Sequence, residues 1–258
     1  VSAPLVFITG ASSGIGQALA LRFHRAGYRL ALVARRSAEL QAWVAAQGIE
    51  GDRAAVYAAD VRQVESIVGA GHACIAAQGV PDVVIAAAGV SIGFDTAEFA
   101  DLEVMRTVFE TNNLGTAATF HPFVGPMTAR RSGTLVGVAS VSGIRGLPGH
   151  GAYSASKAAV ISYCESLRVE LGGQGVSVVT IVPGYIDTPL TRGNAYGMPF
   201  LMPVEAFADQ AFRTIEAGTS YRVIPWQMGL VAKLLRLLPN ALYDKAVSGR
   251  GRKARQTR

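Results

Sequence analysis

Tyr153 and Lys157 stand four residues apart in Tyr153-Ser154-Ala155-Ser156-Lys157. On a helix four residues turn through about 400°, so the phenol and the ammonium project from one face. A phenol titrates near pKa 10 and is poorly matched to proton transfer at neutral pH. An ammonium about 4 Å away favours phenolate by roughly 4 kcal/mol at an effective dielectric near 20. That corresponds to as much as roughly three pKa units downward, before desolvation opposes it. Such a pair suits proton delivery to an oxygen that gains charge as a carbonyl is reduced, and proton removal in the reverse direction. Ser140 lies 13 residues upstream of Tyr153, at the end of an apolar run, where its hydroxyl is placed to hydrogen-bond the same oxygen. Ser142 competes with it from eleven residues upstream.

A second group of residues suits a phosphate. Thr9-Gly10-Ala11-Ser12-Ser13-Gly14-Ile15-Gly16 follows directly on the apolar run Leu5-Val6-Phe7-Ile8 and precedes a helical stretch. Gly10 permits a tight turn, Gly14 lets backbone approach a ligand, and Gly16 lets the helix pack close to the strand. The free N–H groups at the helix start, with its dipole, face a pyrophosphate. Gly10, Ser12, Ser13, Gly14, Ile15 and Gly16 are therefore the candidate cradle, against the alternative of an ordinary Gly-Ser turn. At the end of the next strand a carboxylate would hold ribose hydroxyls and repel a 2′-phosphate. This chain has Ala34, Arg35 and Arg36 there. The forked guanidinium of Arg35 is the better phosphate ligand, which predicts NADP(H) over NAD(H). The competing reading has both arginines solvated at a helix start.

The elements that position these groups alternate. Strands are expected at Leu5–Ile8, Leu30–Val33, Ala54–Tyr57, Val83–Ile85, Thr134–Ala139, Val176–Val182 and Tyr221–Ile224. Helices are expected at Gln17–Ala26 closed by Gly27, from a Ser37 cap to Ala46, and at Val61–Ala77. Further helices fall at about Leu102–Met127, Tyr153–Leu171 and Glu205–Ala217. Parallel strands need crossovers of a dozen or more residues, and this spacing supplies them. The expectation is an α/β fold: a doubly wound, Rossmann-like parallel sheet of about seven strands with helices on both faces. One domain is expected over residues 1–248, with a substrate lid near 188–203.

Composition narrows the classes. The 258 residues are 50% hydrophobic and 16% charged, with 29 Gly and 11 Pro, which excludes disorder, collagen and coiled coil. The two cysteines, Cys74 and Cys164, form neither a disulfide framework nor a CxxC metal site, and read as core thiols in a reducing, cytoplasmic compartment. The net charge of +6 is concentrated in Arg250, Arg252, Lys253, Arg255 and Arg258. The other 19 basic residues nearly balance the 18 acidic ones, so no nucleic-acid footprint is expected on the body and 249–258 reads as a frayed, solvated tail. Val1 to Ile8 lacks a secretory pattern. No uncharged run of about 18 apolar residues exists, and the nearest, Trp226 to Leu238, is broken by Lys233 and Arg236. That amphipathic stretch suits a peripheral membrane contact or a dimer interface.

The motifs TGASSGIG at Thr9–Gly16, Asn112-Asn113-Leu114-Gly115, Tyr153 to Lys157 and Pro183-Gly184 occur in the order that characterises one family. From Leu5 to about Thr188 the chain resembles the short-chain dehydrogenases/reductases. The resemblance implies a catalytic set of Ser140, Tyr153, Lys157 and Asn112. It implies that Lys157 also holds the nicotinamide ribose, and that Asn112 anchors a water linking the lysine to solvent, with Asn113 as its rival. Asp60 and Val61 would meet the adenine, a helix cap being the other role for Asp60. Gly89 would lie against the adenosine ribose. Pro183, Gly184, Ile186 and Thr188 would hold the nicotinamide carboxamide or a phosphate. One departure is Ala86-Ala87-Ala88-Gly89 where the family has Asn-Asn-Ala-Gly, which removes two sheet-bracing side chains.

The expected function is an NADP(H)-dependent oxidoreductase moving a hydride to or from a carbonyl or secondary alcohol, with a homodimer or homotetramer built through the helices bearing Asn112 and Tyr153. Met198, Phe200, Leu201 and Met202 in the lid hint at a bulky apolar substrate; packing onto the body is the competing reading. His150 either lines the pocket or is exposed. The alternative function is a catalytically silent NADP(H)-binding regulator, which would normally have lost one of the four catalytic residues. An adaptor acting through the tail is the third, and deletion of residues 249–258 is expected to leave turnover intact.

Overall fold

A computed structural model describes residues 3–49, 51–194, 196–249 and 251–255. In chain order the elements begin β1 (Leu5–Thr9), α1 (Gly14–Arg25), β2 (Arg29–Ala34), α2 (Ser37–Ala46), β3 (Ala54–Ala58) and α3 (Val64–Gln78). The middle of the chain forms β4 (Val83–Ala86), α4 (Asp101–Phe109), α5 (Gly115–Arg130), β5 (Gly133–Val138), α6 (Gly151–Glu170) and β6 (Val176–Pro183). Then come β7 (Ile186–Asp187), α7 (Pro189–Arg192), β8 (Met202–Pro203), α8 (Val204–Glu216), β9 (Tyr221–Ile224), α9 (Trp226–Leu237) and α10 (Asn240–Val247).

Seven strands form one parallel sheet in the order β3-β2-β1-β4-β5-β6-β9. Strands covered on both faces must be apolar without interruption, and every residue of β1 and β4 is buried. On one face Leu19, Ala20 and Phe23 of α1 and Phe207 and Ala211 of α8 pack on Val6, Ile8, Leu30 and Leu32. On the other, Ile67 and Cys74 of α3, Phe120 and Phe123 of α5 and Cys164 of α6 pack on Phe7, Val84 and Leu135. Both cysteines are buried, unpaired thiols. The strand order reverses between β1 and β4, and in such sheets a ligand crevice opens at the carboxyl ends there.

Several boundaries differ from expectation. The long helix expected over Leu102–Met127 spans α4 and α5, but Glu110–Leu114 between them is a π turn. A π turn carries an extra residue and re-aims the side chains in it; Asn112 lies at its centre. Ser37 starts α2 without capping it: Arg36 holds the cap position and makes no side-chain cap bond. Helix α3 starts at Val64, not Val61, so Asp60 is not its cap and stays in the loop leaving β3.

The 188–203 segment is more ordered than a strandless lid. Ile186 and Asp187 pair in parallel with Met202 and Pro203, and α7 opens with Thr188 and Thr191 capping each other. Met202 packs on the core, whereas Phe200 and Leu201 are about half exposed. The tail also departs from a solvated chain. Arg252 pairs with Asp95 at 3.0 Å, and Arg255 reaches Asp101 at 2.8 Å. Asp95, Glu98 and Asp101 have no basic residue in their own loop, so the distant tail arginines supply their counterions. Arg250 and Arg258 lie outside the described residues, as does Val1. Among the described residues no helix is long and apolar enough to cross a membrane.

Candidate active site

The crevice at the carboxyl ends of β1, β2, β4, β5 and β6 is built first by the glycine turn. Gly10 has φ +68°, and a Cβ there would lie 2.7 Å from Ala88 Cα, so the turn folds against the end of β4 with no room for a side chain. At Gly16 an added Cβ would run into the Gly10 carbonyl oxygen. Ser13 occupies the N-cap of α1 without a side-chain cap bond. The first-turn N–H groups of α1 have no acceptor within the helix, and Ser13, Gly14, Ile15 and Gly16 all line the crevice. An anionic group held there satisfies those donors and the helix dipole together, so this end of the cleft fits a pyrophosphate. Gly10→Ala is expected to cost about 2–4 kcal/mol by denaturant unfolding and to weaken dinucleotide binding at least tenfold by fluorescence titration, because both the φ angle and the contact with Ala88 are lost.

At the β2 end Arg35 and Arg36 line the crevice, and β2 itself ends on Ala34 rather than on an acid. Arg36 is partly committed to Glu39 at 3.0 Å, whereas Arg35 makes no ion pair among the described residues. These guanidinium donors could hold a phosphate oxygen. Asp60 lines the same end, and its carboxylate accepts hydrogen bonds from the Arg62 amide at 3.0 Å and guanidinium at 2.8 Å. The Arg62 hydrogen bonds hold Asp60 below the usual carboxylate range against the cost of burial. Val61, Gly89, Pro183, Gly184, Ile186 and Thr188 also lie along the crevice.

Ser140, Tyr153 and Lys157 meet at its other end. Ser140 sits just past β5, and its Oγ accepts a hydrogen bond from Ser142 N at 3.2 Å. That bond leaves the Ser140 proton to be donated into the crevice, and Ser142 itself does not line it. Lys157, buried in α6, donates to the Val138 carbonyl at 2.7 Å, with Nζ 5.9 Å from the Tyr153 ring centroid. Burial lowers the lysine to about 8. Tyr153 is pushed above its ordinary value by burial, with the Ser140 hydroxyl pulling the other way. The downward shift expected before desolvation is thus outweighed in this site, because burial disfavours the charged form of both groups.

Asn112 stands behind the crevice rather than in it, fully buried. Its Oδ1 accepts from Val90 N at 2.9 Å, and its Nδ2 donates to Val90 O at 3.0 Å and to Ser156 Oγ at 2.9 Å. Asn113 donates instead to Ser156 O at 2.8 Å. Space at Gly89 separates Asn112 from the lysine: a Cβ there would sit 3.3 Å from Asn112 Oδ1 and 3.4 Å from Lys157 Nζ. The bracing lost with the family's asparagines is met in part by Thr9, whose Oγ1 accepts from Ala88 N at 3.4 Å. Sequence reasoning missed Arg62 and Thr191, both on the crevice. Their signals were local, an arginine two residues after an aspartate and a Thr-x-x-Thr cap around Pro189. His150, expected at a loop surface or a pocket wall, is buried, with Nε2 3.0 Å from the Tyr196 hydroxyl.

A glycine turn at the switch point and a Ser–Tyr–Lys group at the end of the neighbouring strands define a nucleotide-binding oxidoreductase of the doubly wound class. Residues 4–197 match the family model described as short chain dehydrogenase, and the chain belongs to that family. An uncharacterized oxidoreductase from Myxococcus xanthus is 39% identical over 239 residues, spanning 93% of this chain and 94% of that protein. Actinorhodin polyketide ketoreductase, solved with NADPH, superposes with a TM-score of 0.78 at 27% identity, covering 86% of this chain and 95% of that one. The 3-ketoacyl-(acyl-carrier-protein) reductase from Brucella melitensis, solved with NADH, shares the fold at a TM-score of 0.77 and 24% identity, covering 86% of this chain and 96% of that one.

Proposed function

We propose that this oxidoreductase uses NADP(H) to interconvert a bulky apolar carbonyl compound and its secondary alcohol, with Tyr153 as the proton donor and acceptor. The convergence of Ser140, Tyr153 and Lys157 at the far end of the crevice from Arg35 carries the reading. The dinucleotide, when bound, supplies or takes up the hydride. Ser140 donates its hydroxyl proton in a hydrogen bond to the carbonyl oxygen and holds it beside the phenol. Tyr153 gives its phenolic proton to that oxygen in reduction and recovers it in oxidation. Lys157, charged below about pH 8, stabilises the phenolate that remains. Asn112 keeps one Oδ1 lone pair for a water that passes a proton to the lysine across the space at Gly89.

Arg35 selects the cofactor by pairing with the 2′-phosphate. Charge-assisted hydrogen bonds are worth about 1.5–3 kcal/mol, so Arg35→Ala is expected to raise the Kd for NADPH about 10–100-fold. The Kd for NADH should stay within about threefold in parallel fluorescence titrations. Equal weakening of both would remove the arginine from phosphate recognition. Exposed Leu114, Tyr163 and Val169 on the helical segments that carry Asn112 and Tyr153 support a homo-oligomer formed there. The two unpaired thiols support a cytoplasmic location. We treat residues 1–248 as one dinucleotide-binding and catalytic domain.

A further inference from the structure

We propose that the outward face of α9 docks on an anionic membrane surface, with Trp226, Leu230, Leu234 and Leu237 entering the headgroup layer and Lys233 and Arg236 facing its phosphates. The four apolar side chains are each more than half exposed. At about 100° per residue they fall within an arc of about 80°, and Lys233 and Arg236 adjoin one edge of it. Met228, Gly229 and Ala232 are buried on the side turned to the body. A helix on the surface of a globular body needs one apolar stripe, and α9 has a second one open to solvent. Proteins that stand alone rarely leave so contiguous an apolar stripe uncovered.

Charge decides what covers it. Residues 217–243 hold Arg222, Lys233 and Arg236 and no acid. Lys233 and Arg236 are exposed and make no ion pair among the described residues. Another cation is fixed at the end of the helix: Arg145 donates to the Arg236 carbonyl and to Asn240 Oδ1, each at 3.1 Å. A second copy of this chain laid twofold on the stripe would bring Lys233 and Arg236 of both copies together, with no acid on the helix to answer them. An anionic lipid surface answers these charges and takes Trp and Leu side chains at the headgroup boundary.

The inward face of the same helix rests on the crevice. A Cβ on Gly184 would lie 2.8 Å from Met228 Cγ, and Gly184 lines the crevice. Docking therefore sets the crevice one helix diameter, about 10–12 Å, from the membrane surface. A carbonyl compound apolar enough to partition into lipid then arrives from the bilayer. That consequence rests on the reading of the crevice as the active site, whereas the docking itself does not.

The test is co-sedimentation of the full chain with phosphatidylcholine vesicles, either neutral or carrying about 30% phosphatidylglycerol, in about 0.1 M salt. The wild type is expected to bind the anionic vesicles at least about tenfold more tightly than the neutral ones. Leu234→Asp with Leu237→Asp should weaken that binding at least about tenfold. Lys233→Glu with Arg236→Glu should remove the preference for anionic vesicles. All four side chains are exposed, so both variants should keep the Kd for NADPH within about twofold and Tm within about 2 °C. Brominated lipid should quench tryptophan emission in the wild type, and Trp226→Phe should abolish that quenching. Equal binding to both kinds of vesicle, or anionic binding that neither double variant changes, would overturn the docking. So would no binding at all; an oligomer that Leu234→Asp with Leu237→Asp takes apart in velocity sedimentation would then assign the stripe to a second copy. None of these readouts needs turnover, so a failure of docking leaves the active-site reading standing, and a failure of hydride transfer leaves the docking standing.

Discussion

Tyr153→Phe is expected to lower kcat for carbonyl reduction by about 10²–10⁴-fold, the range that a positioned general acid contributes. The ring stays in place and only the oxygen leaves, so packing around α6 is preserved. The Kd for NADPH should remain within about threefold of wild type, and the melting temperature within about 2 °C. The pairing of lost turnover with retained binding matters. A phenol that only shaped the crevice would alter binding and turnover together, whereas a proton donor acts on the reacting oxygen alone. Steady-state rates and a fluorescence titration on the same preparation distinguish the two, and unchanged turnover would end the catalytic assignment of Tyr153.

Lys157→Met should separate activity from stability. Burial brings the lysine from 10.5 to about 8. At about 1.4 kcal/mol per pKa unit, holding it charged at neutral pH costs roughly 3 kcal/mol. Methionine fills similar volume without charge, and the lost bond to Val138 O takes back about 1–2 kcal/mol. The variant is expected to match or exceed wild type by about 1–2 kcal/mol in urea at pH 7, while kcat falls by about 10²-fold or more. The sign with pH follows from proton counts. Between about pH 8 and 10.5 the unfolded chain keeps the lysine proton and the native chain has lost it. Wild-type stability therefore rises relative to the variant across that window, and the variant's advantage disappears by about pH 10. Over the same rise the wild type loses the charged lysine, so kcat/KM for reduction should fall above about pH 8. A variant less stable than wild type at pH 7 by more than about 2 kcal/mol would show that the Val138 bond outweighs the burial cost.

Much of the crevice was legible because its determinants are local. Strands buried on both faces must be contiguous apolar runs, and Leu5–Ile8 and Val83–Ile85 could serve no other element so well. The glycine turn and the Tyr153–Lys157 spacing are likewise written in short stretches of chain. What escaped depends on distance or on burial. The π turn at Glu110–Leu114 adds one residue to a helix of nearly thirty, too small a change in period to stand out from an apolar pattern. The tail looked solvated because Arg255 and Asp101 are 154 residues apart, and charge counting along a chain cannot join them. The direction of the Tyr153 shift needed the desolvation that only the packed α6 imposes. The sequence favours Arg35 over Arg36, and the structure adds that Arg36 is paired with Glu39 at 3.0 Å.

The most direct test of the account follows a hydride. NADPH carrying deuterium at C4, prepared as each of the two C4 diastereomers, is incubated with the wild-type protein and 1-tetralone, cyclohexanone and 2-butanone in turn, and the alcohols are read by mass spectrometry. The account predicts one deuterium on the carbinol carbon from one diastereomer and none from the other, with transfer abolished in Tyr153→Phe. Tight NADPH binding with no deuterium in any alcohol would contradict it and would leave a protein that holds the dinucleotide without using it.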